Sequence, residues 1–201
     1  MYKDEFQERY INYQERKKDI EGNTEHTPTN YKTMDWLVFK AVMETRRSQR
    51  SFKKGHIEED VFNEILESAR VAPSSCNRQA IYIKETDTEF AERMLVGARG
   101  WIKGADRVLL LFGDKIAYKS PAEKDFMPFL DAGFVGQNMY LMCEVLGVGC
   151  CFVNPNIIEE NKKEFVEKYG DDYFCGAIAL GRYDKKQKPN KLRDLSKVMR
   201  K

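Results

Sequence analysis

The chain has 201 residues, 42% hydrophobic and 33% charged, enough to bury the core of one domain with a short arm besides. Its 34 basic and 32 acidic residues nearly cancel, so overall charge singles out no partner class. No apolar run approaches the ~20 residues needed to cross a bilayer.

Residues 1–33 read as a helical arm and linker, and residues 34–201 as the main domain. In the arm, Phe6, Tyr10 and Tyr13 share one helical face, and Gly22-Asn23 and Thr27-Pro28-Thr29-Asn30 then break the pattern. A helix of that size buries too little to stand alone, so it is expected on the body or on a second subunit. The charged N-terminus lacks the apolar centre of a signal peptide. Five cysteines (Cys76, Cys143, Cys150, Cys151 and Cys175) form no CxxC pair and are odd in number. Reduced, buried thiols in a cytoplasmic protein are the expectation. With His26 and His56 the only histidines, no metal site is expected.

From Met34 to Met43 the spacing of Trp36, Leu37, Phe39, Val42 and Met43 suits a buried helix. Gly55 opens a turn, and a second helix follows with Val61, Ile65, Leu66 and Ala69 on its apolar side. Glu58, Glu59 and Asp60 sit in its first turn, where the helix dipole favours them, and it must stop before Pro73. Ile81–Ile83 alternates as a strand, Phe90, Met94 and Leu95 suggest a short helix, and Val108–Phe112 has the unbroken apolar character of a central strand. Residues 114–125 are polar and read as a surface loop or lid. Met127–Leu146 is the longest helix, apolar most of the way round, ended by Gly147 and Gly149 and expected to be central or at an interface. Cys150–Val153 reads as a strand, Ile157–Tyr169 as an amphipathic helix and Ala177–Leu180 as a last core strand. Helices and strands mix without strict alternation, which favours an α+β sandwich over a doubly wound sheet.

Three stretches carry chemistry. Arg46-Arg47-Ser48-Gln49-Arg50-Ser51 puts three arginines and two serines in six residues, and guanidinium forks match phosphate oxygens two at a time. Alone it would pass for a solvated basic turn. Ala72-Pro73-Ser74-Ser75-Cys76-Asn77-Arg78-Gln79 clusters hydroxyls and amides suited to the edge of a planar heterocycle, though it would equally serve as an ordinary turn. Lys191-Leu192-Arg193 lies in a tail that carries nine basic and two aspartate residues from Arg182 onward. Extended, it points Lys191 and Arg193 to one face, able to close over an anion held by Arg46 and Arg50. A free basic tail could instead contact nucleic acid, a weaker reading than a solvated end.

In order and spacing these pieces resemble the FMN-dependent nitroreductase family: RRSQRSF from Arg46, APSSCNRQ from Ala72, DAGFVGQNMYLMCEVLGVGCCF from Asp131, AIALGRY from Ala177 and KLR from Lys191. The resemblance covers about residues 34–198. It implies a three-layer α/β/α sandwich with a mostly antiparallel central sheet, and a domain-swapped homodimer with FMN at the subunit interface. Arg46, Arg47 and Ser48 would hold the phosphate and ribityl end, and Arg50 would lie nearer the N1/O2 side of the ring. Pro73, Ser74, Ser75 and Asn77 would come from the other subunit, and Lys191 and Arg193 would close over the phosphate. The segment after Gly149 would donate a backbone N–H to the flavin N5.

The sequence departs from the family pattern at Ala80-Ile81, where Pro-Trp is common, and at Asn154, where glycine is common. Pro155 has no N–H, which leaves Val153, Asn154 or Asn156 as the donor. The implied activity is reduction of a small electron-poor acceptor, a nitroaromatic or quinone, by NAD(P)H through FMN in ping-pong order. No nucleic acid, membrane or proton-donating side chain is expected to take part. The alternatives are an FMN store without turnover and a dehalogenase or dehydrogenase on the same fold. Cys150-Cys151 reads as a pair of small buried residues, with electron exchange as the alternative, and Asp131 as either an acid or a helix-terminus charge.

Overall fold

The structure, a computed structural model, describes residues 33–188 and Val198. The chain divides into two units, Met1–Val38 and Phe39–Lys201. Of the expected arm, Phe6, Tyr10 and Tyr13 lie outside the described residues. Helix α1 (Thr33–Thr45) begins in the first unit and ends in the second. It was expected to be buried, but Trp36, Leu37, Phe39 and Met43 are exposed on this single chain.

In the second unit, four strands form one antiparallel sheet in the order β1-β2-β4-β3: β1 (Ile81–Thr86), β2 (Arg107–Gly113), β3 (Gly149–Val153) and β4 (Tyr173–Gly181). The unbroken run in β2 follows from its interior place, with both faces covered. Leu109 and Leu111, with Ile178 and Leu180 of β4, pack against α2 (Glu59–Arg70) and α5 (Met127–Leu146). Val108, Leu110 and Phe112, with Ala177 and Ala179, pack on the other side against α3 (Thr88–Met94) and α6 (Lys162–Tyr169). Two buried sheet faces, each covered by helices, make three layers.

The helix ends follow local rules. Asp87 caps α3 by accepting from the Phe90 N–H at 2.6 Å. Pro128 sits in the first turn of α5, and Gly147, at φ 66°, ends that helix in the left-handed conformation. The helix expected over Ile157–Tyr169 starts only at Lys162, after a short 3-10 turn at Glu159–Asn161. The backbone before it is already engaged: Val96 N–H donates to Asn156 O (2.9 Å) and Ile158 N–H to Met94 O (2.8 Å). The polar stretch 114–125 is more than a surface loop. It contains a short helix, α4 (Pro121–Lys124), and Tyr118 within it is fully buried. Among the described residues, no helix is long and apolar enough to cross a membrane.

Candidate functional site

The arginine segment follows α1 and runs along the outer edge of β3. Ser48 pairs with Cys150 in a parallel bridge, and the Gln49 N–H donates to Cys150 O at 2.9 Å. Two side chains of the segment turn inward. A Cβ on Gly149 would fall 2.9 Å from Gln49 Cγ, and one on Gly181 would fall 2.8 Å from Phe52 Cδ1, so glycines at both positions give these side chains room. Of the arginines, Arg46 and Arg47 are half-buried and Arg50 is exposed. Arg46 lies over the Tyr140 ring at 4.8 Å, and Arg50 is exposed with its guanidinium 5.9 Å from the Trp101 ring. Arg47 Nη1 donates to Glu44 O (2.7 Å) and Arg46 O (2.5 Å). Its Nε is the one buried side-chain nitrogen or oxygen without a hydrogen-bond partner among the described residues. None of Arg46, Arg47 and Arg50 makes an ion pair among those residues. Three cations together with a buried, unused donor are chemically able to hold an anion with several acceptor oxygens.

Tyr140, on α5, ties this segment to β3. Its hydroxyl accepts from the Phe152 N–H at 2.7 Å, which leaves its proton free for Ser48 Oγ, 3.0 Å away. Burial pushes the phenol up to about 12, so it remains a neutral hydroxyl at physiological pH. Phe152 lies flat where glycines allow it: a Cβ on Gly176 (φ 135°) would sit 2.5 Å from Phe152 Cζ, and one on Gly136 would sit 3.1 Å from Cδ2. The end of β3 is thereby fixed. Since the Phe152 N–H faces outward, strand alternation turns the Val153 N–H toward β4. The Asn156 N–H is taken by Asn154 O (2.8 Å). Of the three expected donors, Asn154 is left.

Cys150 and Cys151 are buried, and desolvation raises both pKa values, so they stay protonated, as small packed residues should.

The second stretch forms a tight turn between α2 and β1, with a 3-10 turn at Ser75–Asn77 and positive φ at Cys76, Asn77 and Gln79. The conformation is held from α5. The buried Asp131 accepts from the Ser75 N–H (2.9 Å) and from the Tyr118 hydroxyl (2.9 Å). Arg78 adds a two-pronged contact to Glu123 (3.0 and 3.1 Å) and a bond to Ser75 Oγ (3.1 Å). Asp131 is thus a structural anchor joining this turn to the 114–125 segment. Ser74 Oγ accepts from the Gln79 N–H, closing the turn upon itself.

The two stretches are anchored at different points along α5. The turn with Pro73, Ser74, Ser75 and Asn77 hangs from Asp131, whereas Arg46–Arg50 is fixed near Tyr140 and Glu144 farther along the same helix. Nine to thirteen residues of helix separate those anchors, about 14–20 Å along the axis. Lys191 and Arg193 lie outside the described residues. Sequence reasoning missed Gln49, Tyr140 and Glu144. Each is an ordinary polar residue whose role depends on partners far along the chain, which no local spacing reveals.

The model of the Nitroreductase family matches residues 43–95 and 81–182, most of the chain. Comparison with curated proteins gives no match. Among solved structures, a Desulfovibrio desulfuricans protein in complex with FMN, provisionally named a nitroreductase, superposes with a TM-score of 0.69 at 20% identity, covering 80% of this chain and 94% of that one. A Staphylococcus epidermidis protein provisionally named an NAD(P)H:FMN oxidoreductase gives 0.70 at 17% identity over 81% and 94%. A nitroreductase with bound FMN from Desulfitobacterium hafniense gives 0.62 at 20% identity over 81% and 97%. At these identities the likeness establishes the fold.

Proposed function

This chain belongs to the nitroreductase family, and from that premise we propose that it is an FMN-dependent oxidoreductase acting as a homodimer. The observation that carries the reading is the Arg46–Arg50 segment: fixed on the edge of β3, without carboxylate partners among the described residues, and holding one buried guanidinium donor unused at Arg47. Such a cradle fits a phosphate. Arg46, Arg47 and Ser48 hold the phosphate and ribityl end, with Lys191 and Arg193 closing over it, and the exposed Arg50 reaches the ring. The Asn154 N–H serves the N5 side, with Val153 buried behind it.

Pro73, Ser74, Ser75 and Asn77 present the ring-edge turn to the partner's flavin. In support, the two anchors are far apart on α5 within one chain, and Phe126, Phe129, Leu130 and Phe134 leave an apolar stripe on and just before that helix. The domain-swapped arrangement belongs to the same proposal. So does the division into an arm (1–33) and an FMN-binding domain (34–201). A cytoplasmic setting is in keeping with five unpaired cysteines.

FMN bound there supplies two-electron transfer from NAD(P)H to an electron-poor acceptor such as a nitroaromatic or quinone, in ping-pong order. The chain's own part is to bind, orient and bias. The arginines hold the anionic end, and the positive charge of Arg50 favours the anionic reduced ring. Steady-state oxidation of NADH and NADPH, with and without menadione or nitrofurazone, tests this. Parallel double-reciprocal lines with acceptor-dependent turnover are expected. Flavin-loaded protein that oxidises neither nicotinamide with either acceptor would favour the storage reading instead.

A further inference from the structure

Tyr140 is the point at which α5 holds both the arginine segment and the edge of β3. Its oxygen takes the Phe152 N–H at 2.7 Å, and a backbone N–H can only donate. The phenol is neutral at physiological pH, so it keeps one proton to give. Ser48 Oγ stands 3.0 Å away, whereas the Cys151 thiol, which the phenol also meets, is a weak acceptor. The hydrogen bonds therefore run one way: Phe152 N–H to Tyr140, Tyr140 O–H to Ser48, and Ser48 O–H onward. Among the described residues, Ser48 Oγ has no hydrogen-bond partner besides Tyr140.

We propose that Tyr140 is a positioning residue that commits the Ser48 hydroxyl to donation, so that Ser48, Arg46 and Arg47 present an oxyanion with donors only. The proposal rests on the cofactor reading above and says what sets the polarity of its phosphate end. Arginine cannot accept a hydrogen bond, but a serine left to itself can donate or accept. With its acceptor side taken by Tyr140, Ser48 keeps its proton for a group rich in acceptor oxygens. Bonds in such a chain polarise one another, so the phenol strengthens the donor it directs. The same ring carries the Arg46 guanidinium at 4.8 Å, so one side chain orients two of the three donors.

The test uses full-length Tyr140→Phe, which keeps the ring under Arg46 and loses one oxygen. In flavin-free protein, amide exchange at Phe152 is expected to speed at least about tenfold, because that N–H loses its acceptor. FMN should weaken about fivefold through the loss of one oriented hydrogen bond, with riboflavin within about twofold. The ring end is expected to hold, since Phe152 keeps its pairing with Ile178. In a Ser48→Ala background, Tyr140→Phe should add no more than about twofold to the FMN loss, because both changes remove the same donor. A tyrosine that only supports the fold would weaken both flavins alike and add its full loss in that background. Either of those results, unchanged FMN affinity or unchanged exchange would overturn the proposal. Should Tyr140→Phe fail to fold, 3-fluorotyrosine at the same position supplies a more acidic phenol and a stronger donor. It is expected to tighten FMN about twofold and leave riboflavin unmoved, and unchanged or weaker FMN binding would overturn the proposal. Wild-type protein that binds neither flavin would strike the cofactor reading. The wild type and the variant are then titrated with inorganic phosphate: weaker binding by the variant sustains the donor assignment, and equal binding overturns it.

Discussion

Replacing Arg46 with alanine is expected to weaken FMN ten- to hundred-fold and to leave riboflavin nearly unaffected. A charge-assisted contact to a phosphate typically contributes about 1.5–3 kcal/mol, which sets that range. Riboflavin lacks the phosphate and so lacks the contact. Arg193→Ala is expected to behave in the same way. Arg50 differs, because it is exposed beside Trp101 and not folded back onto Tyr140 as Arg46 is. A cation within about 10 Å of the reduced ring, at an effective dielectric near 20, contributes about 1.7 kcal/mol, or roughly 35 mV for a two-electron couple. Arg50→Ala should therefore lower the flavin's potential by that order. Titration of both flavins into each variant, and a dye-equilibrated potential for those that retain flavin, check the assignment. Equal losses of FMN and riboflavin at Arg46, or an unmoved potential at Arg50, would mean the cofactor lies the other way round.

The second large effect is expected at Phe134. It lies in a stripe with Phe126, Phe129 and Leu130, at the three- and four-residue spacing that aligns side chains on one helix face. In the proposed homodimer, these large side chains exposed on the 20-residue α5 belong to the covered surface. A carboxylate placed among them must be desolvated or keep the surfaces apart. Loss of a central aromatic contact commonly costs about 2 kcal/mol or more, so Phe134→Glu should weaken dimerisation by roughly 30-fold or more. Flavin should be lost with it, because the proposed site draws its ring-edge turn and its arginine cradle from different chains. Sedimentation velocity at micromolar concentration, read at both protein and flavin wavelengths, follows the two together. A Phe134→Glu protein that remains dimeric, or a flavin-bound monomer of either protein, would contradict the shared site.

Some of this was legible in the residues. Pro128 and Gly147 bracket the long helix, and an apolar run as unbroken as Val108–Phe112 had only an interior strand to occupy. The arginine segment and the Ser74–Asn77 turn were visible as candidates because their chemistry is concentrated in a few consecutive residues. What holds them was not. Nothing near Asp131 in the sequence shows that its two oxygens hold the Ser75 N–H and the Tyr118 hydroxyl. Gln49 sits among arginines with no local sign that its partners lie more than 130 residues away, at Lys185 and Gln187. The exposed face of α1 and the late start of α6 were misjudged for a related reason. Periodicity reports which residues are apolar, whereas burial and helix length depend on what the rest of the chain, or a second chain, brings to them.

The central claim is that the cradle built on Arg46, Arg47 and Ser48 holds FMN. The most direct measurement is the visible spectrum of the purified protein, before and after incubation with FMN, with acid release and identification of the flavin. One FMN per chain, with absorbance maxima near those of oxidised flavin, is the expected result. Protein that is colourless as purified and stays so after incubation and removal of excess FMN would contradict it.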